Sequence, residues 1–140
     1  MKKINIDDLL DNTYEFANFH DSTIINILID YAARKAIFTF ELNVGNIELE
    51  SEKQKRASGI LSFEQLQYFV SEPPDEKYNF EDSNGLTVSG DGPLQETQFK
   101  APLPILPAVK DDAFVHWFYI VEWNSFIFIS AKKATFTWQK

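Results

Sequence analysis

Cysteine is absent from this chain of 140 residues, which removes at once a thiol nucleophile, a thiolate zinc site, an iron–sulfur cluster and a disulfide framework. Positive charge is scarce: 13 Lys and Arg stand against 21 Asp and Glu, a net charge of −8. Binding to nucleic acid regardless of its sequence rests on cations that release counterions from phosphate, so that class is excluded and a basic or neutral protein partner is favoured. Glycine is also rare, with five in all. There is no Gly-rich phosphate loop, GxSxG elbow or HExxH pair, and Gly90-Asp91-Gly92-Pro93 lacks the helix and third glycine of a dinucleotide turn.

Long apolar runs are missing too. The stretches Ala113–Val121 and Phe126–Ala131 are interrupted by His116, Glu122, Asn124 and Ser125, well short of the roughly 20 residues that span a bilayer as a helix. Asn5, Asp7, Asp8 and Asp11 break up the apolar centre that a signal peptide requires. A soluble cytoplasmic protein without membrane contact is the expectation. What the chain does have is 44% hydrophobic and 15% aromatic residues, enough for one domain with its own core and no stabilising metal or cofactor.

Hydrophobic spacing over Ile4 to Tyr14, with Asn5 as N-cap, predicts a short helix. From Thr23 the period changes to two. Ile25, Ile27, Ile29 and Tyr31, then Ala36, Phe38, Phe40 and Leu42, read as two strands of an antiparallel hairpin, and Ile47 to Glu50 as a third strand. Ser62-Phe63-Glu64-Gln65 has the form of a capping box opening a helix that Pro73-Pro74 ends. Tyr78–Phe80 and Leu86–Val88 flank a turn-rich interval and read as a weak hairpin, and the prolines of 101–107 make that stretch an extended connection.

The last third is the clearest. Ala113 to Trp123, Ser125 to Ala131 and Ala134 to Trp138 read as a three-stranded antiparallel meander, with Phe126 and Phe128 apolar on one face and Ile127 and Ile129 on the other, so the middle strand is covered on both sides. The fold class is therefore all-β to α+β: an antiparallel β-sandwich or open barrel of about seven strands with one or two short helices. The expected core is Ile25, Ile27, Ile29, Phe38, Phe40, Phe118, Ile120, Phe126, Phe128, Phe136 and Trp138.

Charge is unevenly spread. Residues 64 to 96 carry eight acids and one base, and Glu64, Glu72, Asp75, Glu76, Glu81, Asp82 and Asp91 form a candidate acidic binding surface that would steer a basic partner. The plain alternative is a charged face kept for solubility. Asp82-Ser83-Asn84-Gly85 does not make a calcium loop, because Phe80 falls where the first aspartate ligand is needed.

The tetrad Phe19-His20-Asp21-Ser22 is the most distinctive local motif. A histidine beside a carboxylate titrates near neutrality, and with Ser22 it sketches a nucleophile, a base and an orienting acid. In an extended segment, however, adjacent side chains point to opposite faces, so His20 and Asp21 do not converge without a turn. A structural role is expected instead, with Asp21 or Ser22 capping a turn and His20 bonded to backbone. His116 reads as a half-buried strand histidine, and a metal site joining it to His20 has no support in the spacing. Trp117, Tyr119 and Trp123 are either packing residues or the lining of an apolar ligand pocket.

The tetrad leading into an Ile-rich strand, with Asp30 before the hairpin turn and Phe38 and Phe40 after it, resembles a group of small bacterial proteins that includes immunity proteins of polymorphic toxin systems. The likeness extends weakly to Ser62–Val70 and to the closing strands Phe118–Trp138, about half the chain on the same periodicities. It implies a non-enzymatic binder that neutralises a toxin or another protein, and it assigns no catalytic residue to His20 or Asp21; the acidic surface makes a basic toxin or effector the expected partner. The competing expectations are a small-ligand-binding β-barrel and a His–Asp acid–base or metal-assisted hydrolase.

Overall fold

A computed structural model describes residues 2–82, 84–94 and 106–139. The chain is all-β. Eight strands, β1 (Asn18–Asp30), β2 (Lys35–Asn43), β3 (Arg56–Glu64), β4 (Tyr68–Ser71), β5 (Leu86–Pro93), β6 (Phe114–Ile120), β7 (Ser125–Ala131) and β8 (Lys133–Trp138), form one antiparallel sheet. Its order is β4-β7-β6-β5-β1-β2-β3-β8.

That order puts two pairs of chain neighbours, β3 with β4 and β7 with β8, at opposite ends of the sheet. Only Lys132 separates β7 from β8. The two corners stay bonded to one another, Lys132 N–H donating to the Glu64 carbonyl at 3.3 Å and Gln67 N–H to Ser130 at 2.7 Å. The sheet is thereby folded over on itself. Phe38 of β2 meets Phe118 of β6 at 5.6 Å between ring centroids, and Phe63 of β3 meets Phe114 of β6 at 6.1 Å, although other strands lie between them in the sheet. Seven phenylalanines among the described residues are fully buried in this way, each adding about 1.5–3 kcal/mol of hydrophobic stabilisation.

The N-terminal helix expected over 4–14 is a single 3-10 turn, Ile6–Leu9, with the Asn5 side chain accepting from Asp7 N–H as the cap. Ile6 is buried; the turn rests against β1 and β8. The strand expected at 47–50 is a series of turns with Ile47 and Leu49 exposed. The strand that pairs with β2 starts instead at Arg56.

The capping box does not open a helix. Phe63 lies in the core, Gln65 takes a left-handed φ of 53°, and both backbone groups of Leu66 are engaged by Arg34, its N–H with the Arg34 carbonyl and its carbonyl with the guanidinium. Pairing to β7 and β8 outweighs the local helix signal. The 78–80/86–88 hairpin is not formed either: 80–82 is a 3-10 turn and β5 pairs with β1 and β6. Of the expected meander, β6 and β7 pair as read, whereas β8 crosses to β3. Most of the proline-rich connection, 101–105, lies outside the described residues.

Strand β1 departs from simple alternation. Its buried positions are Phe19, Ser22 and Ile24, followed by the partly buried Ile27 and Ile29. The two steps of three residues coincide with register shifts between Asn18 and Thr23 and between Ile24 and Asn26. The first sets five residues of β1 against two of β2 and the second two against one, an odd excess each time, which turns the following side chains to the other face. Ile25, expected inside, is therefore 43% exposed, with Ile24 in its place. Phe126, Phe136 and Trp138 are half-buried around the core rather than within it. The middle strand of the expected meander, β7, is covered on both sides: Ile127 and Ile129 belong to the main core, while Phe128 joins Leu94 and Val115 in a second cluster covered by Leu106 and Val109.

Candidate functional site

The motif at 19–22 is split by the first irregularity of β1. Asp21 has a φ of 60°, so the chain turns left-handed between His20 and Ser22. Ser22 points inward, fully buried, and its hydroxyl donates to the Phe19 carbonyl at 2.6 Å. His20 and Asp21 are exposed, with His20 Nε2 lying 3.4 Å from the Asp21 carboxylate rather than on backbone. The serine and the histidine thus occupy opposite faces of the sheet and no nucleophile–base contact forms.

The acidic residues fall into distinct settings. Glu64 lies between Lys35 and Lys133, at 4.0 and 3.8 Å. Glu72 accepts the Phe126 N–H at 2.7 Å, and its own N–H donates to the Phe126 carbonyl. Asp75 N–H bonds to the Trp123 carbonyl, and the Asp75 carboxylate accepts from Lys77 N–H. Beyond these anchors Glu76 and Glu81 are exposed, and Asp82 ends the 80–82 turn. The run 72–82 is therefore laid along the β6–β7 end of the sheet and carries Phe80, 69% exposed and packed edge-on to Tyr78 at 4.4 Å, with Tyr78 in turn against Trp123. Exposed Val121 and the acid Glu122 lie in the adjoining β6–β7 turn.

Asp91 stands apart. On β5 it is flanked by Gly90 and Gly92, beneath which the Trp117 ring packs. Alternation then turns Asp91 to the inner face, where its carboxylate meets His116 Nε2 at 2.8 Å. His116 is only 1% exposed, not half-buried as the strand pattern implied, and its ring also packs edge-on to Phe118. A carboxylate can only accept, so Nε2 supplies the proton of this bond, and the ring's other nitrogen is Nδ1. That Nδ1 is buried and has no hydrogen-bond partner.

This pair lines a cleft of about 470 Å³ whose other wall is the N-terminal segment, with Lys3, Asn5 and Asp7. Asp7 accepts the Phe19 N–H at 3.1 Å. Burial pushes its carboxyl above the usual range against the pull of that bond, and the nearby Asp91 charge pushes the same way. Asp91, expected among the surface acids, is instead held against His116. The signal available was the Gly-Asp-Gly alternation beside a tryptophan-bearing strand.

Trp117 and Tyr119 do not face this cleft: Trp117 Nε1 donates to the Pro93 carbonyl, and the Tyr119 hydroxyl bonds to Asn124. No group of three or more His, Asp or Glu side chains placed to hold a metal ion occurs among the described residues. No protein-family model, curated protein or solved structure matches the chain.

Proposed function

We propose that the chain is a non-enzymatic protein-binding domain, of the kind an immunity-type inhibitor requires, and that it takes a basic partner on the ridge formed by residues 72–82 and the β6–β7 turn. The observation that carries this reading is Phe80, an aromatic side chain 69% exposed in a run with Glu72, Asp75, Glu76, Glu81 and Asp82 against the single base Lys77. Aromatic residues are enriched at interface cores, and the acids around this one would raise the rate at which a cationic surface arrives. Glu72 and Asp75 have a second task, since their hydrogen bonds hold the ridge on the sheet. Glu64 and Asp91, paired with lysines and with His116, contribute less to it.

The test uses the wild-type chain and a Phe80→Ala, Glu76→Gln, Glu81→Gln variant side by side as baits in extract of the native cell. A protein retained by the first, lost by the second and released as salt rises from 0.1 M to 1 M, where the screening length falls from about 10 Å to about 3 Å, supports the ridge. Equal capture by both baits removes it.

A further inference from the structure

The outer face of β1, β2, β3 and β8 carries a reading separate from the ridge. Strand register sets Asp30, Lys35, Glu64 and Lys133 side by side on four successive strands, so one row crosses this face with charges alternating in sign. The row is solvated: Glu64 lies 4.0 Å from Lys35 and 3.8 Å from Lys133, and the two lysine side chains are 48% and 60% exposed. Behind it the same register gives a row of Leu28, Ile37, Ser62 and Thr135. A further row holds Asn26, Thr39, Ile60 and Thr137. Neither carries a charge, in a chain where 24% of residues are charged, and Leu28 is 59% exposed. A face turned only to water has charges interspersed across it, whereas an interface depletes them at its centre and leaves them to the rim.

We propose that this face docks a second copy of the chain, related by a two-fold axis that runs along the strands between β2 and β3. Such an axis turns the charged row end for end, so that Asp30 meets Lys133 of the second copy and Lys35 meets its Glu64, each contact formed twice. Every pair across the contact is then of unlike sign. An axis across the strands would set each charge on its own kind. The four charges also sum to zero, so the net charge of −8 is not concentrated where the copies meet.

The experiment is sedimentation velocity of the full chain over a roughly hundredfold range of concentration reaching about 0.5 mM, because a small contact rimmed by exposed ion pairs associates weakly. Wild type should pass from one chain to two. Asp30→Lys alone and Lys133→Glu alone each turn two attractive pairs into repulsive ones and should raise the Kd at least about tenfold. Mixed in equal amounts, the two variants restore every pair, and the mixture should associate about as tightly as wild type. Asp30 also accepts the Ala33 N–H at 2.8 Å, so Lys35→Glu with Glu64→Lys is the second exchange pair should the Asp30→Lys chain unfold. Phe80→Ala should leave the association unchanged, so failure here and failure of the ridge are told apart. The proposal is overturned by a wild type that stays a single chain throughout, by single variants that pair as well as wild type, by a mixture of folded variants that pairs no better than its parts, or by association that Phe80→Ala abolishes.

Discussion

The Phe136 ring fills the space that a side chain on Gly59 would need: a Cβ built at Gly59 falls 2.1 Å from Phe136 Cζ. Both residues are on the β3–β8 pair, and Phe136 also meets Phe19 at 5.7 Å and Trp138 at 4.8 Å. Gly59→Ala must therefore push this ring out of a packed aromatic group, at a cost of about 1–3 kcal/mol. Gly90→Ala is the control, since a Cβ there meets Trp117 only at 3.6 Å, an ordinary contact. Urea denaturation of the two variants should separate them, with Gly90→Ala within about 1 kcal/mol of wild type.

Phe38, Phe40, Phe118 and Ile120 show why most of the β character was legible. Each lies in a run whose period of two is set by a buried face, and that face is what the sequence displays. Ile25 shows where this stops, since an inserted residue in β1 shifts the phase and nothing in the local pattern marks it. The capping box at Ser62 fails for a different reason. Its helix signal is local, whereas the bonds that hold Leu66 and Gln67 come from Arg34 and Ser130, residues distant in sequence. Strand β8 was found from its alternation, but its partner was misread because one residue, Lys132, carries the chain from one end of the sheet to the other. The Asp91–His116 pair depends on the register between β5 and β6, of which the Gly-Asp-Gly alternation shows only the face that Asp91 takes.

Tyr68 begins β4, and its hydroxyl is buried without a hydrogen-bond partner. Burial pushes its ionisation up to about 12. Tyr68→Phe removes a polar atom that gains nothing from its surroundings, so stability should rise or stay level, by at most about 1–3 kcal/mol. Because the folded state holds this proton to higher pH than the unfolded chain does, wild type should also lose stability as pH climbs from about 10 toward 12. Thermal melts of wild type and Tyr68→Phe across that interval check both points. A marked loss of stability in the phenylalanine variant would contradict this account.

Asp91 is the sole acceptor for the His116 Nε2 proton among the hydrogen bonds of the described residues. Asp91→Ala strands a buried donor and should cost about 1–3 kcal/mol. Asp91→Asn retains an oxygen at the same place and should cost less. Chemical denaturation of the two variants gives the order, and an alanine variant as stable as the asparagine one would show that the pair does not hold the ring.

Asp7 joins the 3-10 turn to β1 by accepting the Phe19 N–H. Burial is the largest influence on it and holds its carboxyl above the ordinary value of 3.8. The sign of the pH effect follows. Between that value and the raised one, the folded chain binds more protons at this site than the unfolded chain, so the contribution of Asp7 to stability declines as pH rises through the window and stays lowered above it. Asp7→Asn is neutral at every pH and keeps an acceptor oxygen. Its stability relative to wild type should therefore increase as pH rises from about 4 toward neutrality, with little difference below that window, where both side chains are uncharged. Asp7→Ala, which leaves the buried Phe19 donor without its acceptor, should instead lose about 1–3 kcal/mol at all pH values. Urea midpoints of the three chains over the acid range measure this, and a wild type that loses stability relative to Asp7→Asn as the pH falls would reverse the assignment.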